Sequence, residues 1–350
     1  MTTPEPETLT AAVPAPAAVP APAVRAAGWP TTRHWMLGGA VLIAVLLPFY
    51  FHGFVIFQLT EVMCYGLAIL GLNLLMGING QVSFGHGAFF GLGAYVTAIL
   101  MQRYGMPYYW TLLPSGAICF VVGFAFGFPA LRLQGLYLAL VTFVAAVALP
   151  QLLKYHGFEG WTGGVQGIVV NQPDAPAFLP LGADQWLYYF TLAVMLVLFA
   201  GAANLIKSRT GRALMAIRDH PIAAAAMGIN PSLYKTMIFG VSAVYTGIAG
   251  SLGAFAVGFV APDSFNLFLS IYLFVGLIIG GMESLPGCLV GGLFVLYIPN
   301  IAQDVSRGLS GAVFGVLMLL IVFVMPSGAA GFTRLVMARL SRLRNRSNPL

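Results

Sequence analysis

The amino-acid sequence predicts an all-α integral membrane protein, a polytopic bundle of about ten transmembrane helices with one of them broken or re-entrant. Three observations carry that reading. Only 7% of the residues are charged and 59% are hydrophobic, for a mean hydropathy of +0.89. A soluble domain carries about 25% charged residues. Apolar runs recur at close spacing along the 350 residues, so the length does not divide into soluble domains. The 42 glycines suit helices that pack closely within a bilayer. No soluble domain large enough to carry chemistry of its own is left over.

The elements follow in order. Residues 1–34 differ in composition, with AAVPAPAAVPAPAV at 11–24, and read as a disordered Pro/Ala-rich tail. Glu5, Glu7 and the scattered prolines do not fit the basic start and unbroken apolar core of a secretory signal. Residues 35–330 form the membrane domain. Runs near the ~20 residues a spanning helix needs lie at 35–51, 56–78, 82–101, 110–130, 136–153, 185–206, 236–260, 265–281, 288–302 and 311–325. The third is interrupted by Ser83, His86 and four glycines, and is therefore the broken or re-entrant one. Such backbone is tolerated only where protein or water satisfies it. Residues 331–350 form a basic tail.

Charge sets the orientation. With ten crossings and both termini cytoplasmic, the inside segments hold Arg25, Arg33, Arg132, Lys207, Arg209, Arg212, Arg218, Lys235, Arg334, Arg339, Arg342, Arg344 and Arg346. Only Arg103, Lys154 and Arg307 fall outside, a bias of the kind that fixes topology. If 82–101 did not cross, Arg25 and Arg33 would move outside and the bias would weaken. The net charge of +6 is thus explained by topology, and no basic-plus-aromatic stripe suggests nucleic acid. Two hydrophilic connections stand out: an outside loop, 154–184, and a basic inside loop, 207–235.

Absent chemistry narrows the class. Neither Lys207-Ser208 nor Lys235-Thr236 follows the glycine of a phosphate loop, so the chain does not hydrolyse nucleotide itself. No HExxH, GxSxG or paired acids on one helix face occur. The five histidines are scattered, and Cys64, Cys119 and Cys288 lie far apart in apolar segments. No metal, cofactor or redox pair is expected. Glu61 is the only acid within the spans and lies near an end, as an interfacial carboxylate or a gate. Energy for transport must come from elsewhere, or the protein is a passive channel.

The densest mixture of small and polar residues is GLNLLMGINGQVSFGHGAFFGLGAYVT at 71–97. On a helix, Ser83, Gly87 and Gly91 share a face on which a neighbour can approach closely. His86, Phe90, Gly93 and Thr97 form an adjacent face that either lines a path or packs. The pairs Gly123/Gly127, Gly276/Gly280, Gly287/Gly291 and Gly311/Gly315 together indicate tight packing.

The run GLNLLMGINGQVSFGHGAFFGLGAY resembles the signature of permease subunits in branched-chain amino acid ATP-binding cassette importers, the LivH/LivM family. The likeness continues, in order, through RLQGLYLALVTF at 132–143, TGGVQGI at 162–168 and SRTGRALMAIRDHPIAAAAMGINPSLYK at 208–235. It ends with GFVAPDSFNLFLSI at 258–271 and GGMESLPGCLVGGLF at 280–294. It covers about residues 35–330, and the long inside loop and TGG segment look more like the M-type partner. The Pro/Ala tail has no counterpart.

The resemblance implies a multi-pass protein of the bacterial inner membrane that works with a second, homologous permease, two cytoplasmic ATPases and a periplasmic binding protein. The solute would be leucine, isoleucine or valine, with urea or short amides as the alternative within the family. A stand-alone channel or carrier for a small neutral solute is the alternative outside it. An intramembrane enzyme lacks any catalytic constellation. Path candidates are Asn73, Gln81, Ser83, His86, Phe90 and Thr97. In the inside loop, Pro221 suits the first turn of a short helix with Asp219 or His220 as cap, and AAAAMG ends at Gly228. Arg209, Arg212, Arg218, Pro221, Ala223, Ala225 and Gly228 are the ATPase-coupling candidates, although alanine stands where the family prefers an acid. A basic loop that only sets topology is the simpler alternative. Thr162, Gly163, Gly164 and Gln166 face outside as binding-protein contacts, or as a plain turn-rich loop.

Overall fold

The computed structural model describes residues 30–51, 53–132, 135–173, 175–176, 181–305, 310–324, 328 and 331. Most of the Pro/Ala tail, Arg25, Arg307 and the basic tail from residue 332 lie outside the described residues. Each of the ten predicted spans falls on an α-helix. They are α1 Pro30–Tyr50, α2 Phe54–Asn73 with a π turn at Leu74–Ile78, α3 His86–Tyr104, α4 Tyr108–Arg132 and α5 Leu136–Leu153. Three short helices occupy the two long connections: α6 His156–Thr162 in the first, then, beyond α7 Ala183–Lys207, α8 Arg209–Asp219 and α9 Pro221–Ala226 in the second. The chain continues with α10 Pro231–Val257, α11 Leu267–Gly280, α12 Leu285–Val305 and α13 Ser310–Val324. Among the described residues six helices are long and apolar enough to cross a membrane: α2 with its π turn, α4, α5, α7, α10 and α12. The part of α1 up to Leu47 is a unit by itself. None of its residues from Gly38 on is fully buried.

The span expected to be broken, 82–101, is instead an irregular lead-in followed by an unbroken helix α3. Residues 79–85 are irregular, with Gly80 at φ +75°, so α3 starts at His86 rather than at 82. Its 19 residues at ~1.5 Å each reach about 28 Å, close to the hydrocarbon thickness. Helix α10 starts five residues before its predicted span. Asn230 caps it, its Oδ1 accepting from the Ser232 and Leu233 amides at 3.1 and 3.3 Å, with Pro231 in the first turn.

Helix α10 is the centre of the bundle and packs on α2, α3 and α4. Small residues make those crossings close. A Cβ on Gly93 of α3 would run into the Gly247 carbonyl of α10, and one on Gly250 into the Phe90 carbonyl. Gly123 and Gly127 of α4 face Ala243 and Thr236 of α10. Gly276 and Gly280 of α11 meet Gly291 and Gly287 of α12. The fourth predicted pair differs: Gly311 and Gly315 of α13 have nothing within 4 Å of an added Cβ. Hydroxyls supplement the close contacts. The Ser115 and Ser251 hydroxyls hydrogen-bond to each other at 2.7 Å and lie 3.3 and 3.1 Å from the Gly93 carbonyl, tying α3, α4 and α10 together.

The connections gather at two ends. At one lie residues 79–85, α8 and α9, and the α11–α12 turn at 281–284. At the other, Ile168–Val169 (β1) and Phe259–Val260 (β2) form an antiparallel pair, Ile168 opposite Val260. Lys154 there pairs with Asp263 at 2.5 Å, and Arg103 donates to the Gly160 carbonyl while lying 4.4 Å from the Trp161 ring centre.

A leucine at Gly93 should therefore wedge α3 from α10. Overpacking costs ~1–3 kcal/mol, more against rigid backbone. Gly93→Leu is expected to lower the apparent melting temperature of the purified protein in detergent, whereas Gly315→Leu should leave it unchanged.

Candidate functional site

The candidate site begins where α2 gives way to α3. Buried backbone that leaves a helix must find partners, and side chains from distant segments supply them. The Phe84 amide donates to Thr142 Oγ1 of α5 at 2.9 Å, and the Gly87 amide to Ser270 Oγ of α11 at 2.9 Å. The Gly85 amide donates to Ser83 Oγ at 3.3 Å. His86 Nε2 lies 2.6 Å from Ser242 Oγ of α10, whose own proton goes to the Gly71 carbonyl at 2.7 Å. Ser242 therefore accepts from His86, and His86 Nδ1 is left to accept from Ser83 Oγ at 3.1 Å.

The two faces read from the 83–97 spacing both have neighbours. Gly87 and Gly91 receive Ser270 and Phe265. His86, Phe90 and Gly93 pack on α10 through Ser242, Gly250 and Gly247. Of the six path candidates, Asn73, Gln81, Ser83, His86 and Thr97 are buried and line neither of the two cavities that follow. Asn79 Nδ2 donates to Gln81 Oε1 at 2.7 Å. Thr97 Oγ1 is buried with no hydrogen-bond partner among the described residues. Phe90 does line a cavity, of about 190 Å³, bounded by α2, α3, α10 and the 3-10 turn Pro262–Phe265. A second cavity of about 550 Å³, between α2, α11 and α12, shares Glu61, Tyr65, Ser264 and Leu269 with it.

The basic loop 207–235 is a helical hairpin. Ser208 caps α8, accepting from the Gly211 amide at 3.2 Å. Gly211, Leu214 and Ile217 bury one face of α8 against α7, α10 and the π turn. Arg209 and Arg212 are exposed, Arg212 donating to the Lys207 carbonyl at 2.9 Å. Arg218 points inward. Its Nη1 donates to the Gly77 carbonyl at 2.6 Å and to Glu283 Oε1 at 2.5 Å, and its Nε donates to Asp219 Oδ1 at 3.1 Å. Burial works against its charge, but the bonds to Asp219 and Glu283 outweigh it and raise the pKa. The Arg218 side chain lies so close to Gly80 that a Cβ there would approach Cγ to 2.7 Å. The Glu283 amide, at a residue held at φ +66°, donates to Asn73 Oδ1 at 2.9 Å. One arginine thus joins the hairpin, the α2–α3 break and the α11–α12 turn.

Beyond Arg218 the hairpin turns outward. His220 occupies the cap position of α9 without a side-chain bond, and Asp219 is held by Arg218, so neither caps it as the sequence suggested. Pro221, Ala223, Ala225 and Gly228 are exposed, Gly228 at φ +83°. Two apolar residues that the sequence reading passed over stand out further: Ile222 is 86% and Met227 83% exposed. The flanking sequence carries the signal, since an isoleucine and a methionine frame a run of alanines.

At the opposite end, Thr162 is buried and staples its own loop. Its Oγ1 donates to the carbonyls of Leu153 at 2.7 Å and Phe158 at 3.1 Å, and accepts from the Gly164 amide at 3.2 Å. Gly163 and Gly164 both hold φ in the left-handed region, which this turn requires. Gln166 is exposed, and so are the apolar Val165 and Val169 beside it.

The family described as "Branched-chain amino acid transport system / permease component" matches residues 54–322. The permease protein LivM of the high-affinity branched-chain amino acid transport system of Salmonella typhimurium strain LT2 is 30% identical over 320 residues, covering 84% of this chain and 74% of its own. LivM of Escherichia coli strain K12 matches to the same extent. LivH of Salmonella typhimurium is 25% identical over 295 residues, covering 76% of this chain and 91% of its own. No solved structure matches the chain. The matched residues run from α2 into α13 and take in the α2–α3 break, the hairpin and both cavities: the chain belongs to the branched-chain amino acid transport system permease component family, as a multi-pass membrane protein.

Proposed function

We propose that this chain is the membrane-spanning subunit of an ATP-binding cassette importer for leucine, isoleucine and valine, delivered by a periplasmic binding protein. It lies in a bacterial inner membrane beside a homologous second permease, with two ATPases on the cytoplasmic side. The hairpin end, 207–235, faces the cytoplasm, as do both termini. The observation that carries the reading is the exposed tip of α9, with Ile222, Ala225 and Met227 free to enter a partner while Arg218 fixes its base. Arg209 and Arg212 flank the base with unneutralised charge. At the far end, Gln166 with Val165, on the turn that Thr162, Gly163 and Gly164 hold, receives the binding protein. Asn73 ties α2 to the α11–α12 turn and His86 ties α3 to α10, while Phe90 touches the path.

Ala225→Glu tests the coupling. A charge desolvated without a partner costs several kcal/mol, and each 1.4 kcal/mol is tenfold in affinity. The permease should reach the membrane at normal abundance, lose ATPase copurification and lose uptake. Full uptake with intact ATPase association would reduce the loop to a topology signal.

The solute is tested separately in cells carrying the whole system. Unlabelled isoleucine and valine should compete with leucine uptake, and urea should not. Strong competition by urea or a short amide, with none by valine, would move the assignment to amides and leave the permease assignment intact.

A further inference from the structure

We infer that Glu61 binds the ammonium group of the solute within the membrane domain, with Gln58 beside it for the carboxylate and an apolar cavity behind it for an aliphatic side chain. The inference rests on the solute reading above and deepens it to a site.

Position comes first. Gln58, Glu61 and Tyr65 recur at i, i+3 and i+7 on one face of α2, and all three line the 550 Å³ cavity. Glu61 stands seven residues past the start of α2, about 10 Å along the helix axis. A carboxylate at that depth is expensive and is retained for a reason. Among the described residues it has no hydrogen bond and no ion pair. The cavity's other acid, Asp263, is neutralised by Lys154 at 2.5 Å. No lysine or arginine lines either cavity. The site therefore presents one carboxyl group without a counter-charge, a site that a cationic group would ionise and pair with.

The surroundings choose the kind of cation. Pro299 interrupts α12, and without its N–H the Val295 carbonyl lacks the usual helical donor; Pro299 and Val295 both line the cavity. An ammonium, with three donors, can use such acceptors together with the carboxylate. Gln58 is oriented by Tyr297, whose hydroxyl donates to Gln58 Oε1 at 3.2 Å, so its two amide hydrogens remain for an acceptor. Acceptor and donor thus stand one helical turn apart, the arrangement a zwitterion needs.

The adjoining cavity supplies the third contact. Beyond the residues it shares with the larger one, its walls are Phe90, Phe265, Val257, Ala254 and their apolar neighbours. The Phe90 ring lies 6.0 Å from that of Tyr65 and 6.2 Å from that of Phe265. Its 190 Å³ equals about six water volumes at ~30 Å³ each, room for a branched side chain of a few carbons. Urea or a short amide has N–H donors for Glu61 but no side chain to fill this cavity.

The test uses the complete transporter with its binding protein, reconstituted as wild type, Glu61→Gln, Glu61→Asp and Ala254→Leu. Glu61→Gln should cut leucine uptake at least tenfold while binding-protein-stimulated ATP hydrolysis continues, and Glu61→Asp should restore part of the uptake. Ala254→Leu, which fills the apolar cavity, should depress leucine uptake several-fold more than valine uptake. Leucine uptake by Glu61→Gln within twofold of wild type would overturn the site. So would loss of stimulated hydrolysis along with uptake, since Glu61 would then serve docking or folding. A wild-type transporter that ignores leucine would overturn the solute reading and this site together, and that result is read from the wild type alone.

Discussion

Between Asn73 and Gly87 a buried backbone departs from regular helix, and the need to pair its polar groups organises the hairpin end of the bundle. An unpaired peptide group away from water costs several kcal/mol. The partners come from far along the chain: Thr142 and Ser270 for the amides of Phe84 and Gly87, Arg218 for the Gly77 carbonyl. Four helices and the hairpin are thereby drawn onto one junction. Arginine suits the central role, because its planar fork donates to Gly77, Glu283 and Asp219 at once while keeping its charge.

The contacts at this junction differ in kind from those around α10. Around α10 the contacts are backbone against backbone through Gly93, Gly247 and Gly250, and they leave no room for sliding. Around Arg218 the contacts are hydrogen bonds between segments, which can be remade in another arrangement. The α9 tip lies on one side of that arginine and the α2–α3 and α11–α12 turns on the other. On the proposed function, displacement of the tip would be carried to α2, the helix that bears Gln58, Glu61 and Tyr65. The proposed coupling loop and solute cavity would then communicate along one helix, about 25 residues or ~37 Å long.

Much of the fold was legible because a run of about 20 apolar residues has few alternatives to a spanning helix. The start of α3 was not, since its irregular lead-in is held by Thr142 and Arg218, which no local pattern reveals. The start of α10 was hidden from hydropathy by Ser232, Tyr234 and Lys235, although Asn230-Pro231 marks it by capping logic. In the site, Pro221 and Gly228 were legible from turn chemistry, and Arg218 from charge, but its inward direction was not. TGG suggests a flexible surface turn, and nothing local to it shows that the Thr162 hydroxyl staples that turn. Glu61 was noticed as the lone acid of the spans. Its meaning depended on a cavity assembled from α11 and α12, more than 200 residues away in sequence.

We propose that Arg218 transmits motion between the ATPase side and the membrane helices. The most direct measurement is the number of solute molecules taken up per ATP hydrolysed by the reconstituted transporter carrying Arg218→Ala. The ATPases should remain bound and active while uptake per ATP falls at least tenfold. An unchanged ratio, with normal uptake, would contradict it.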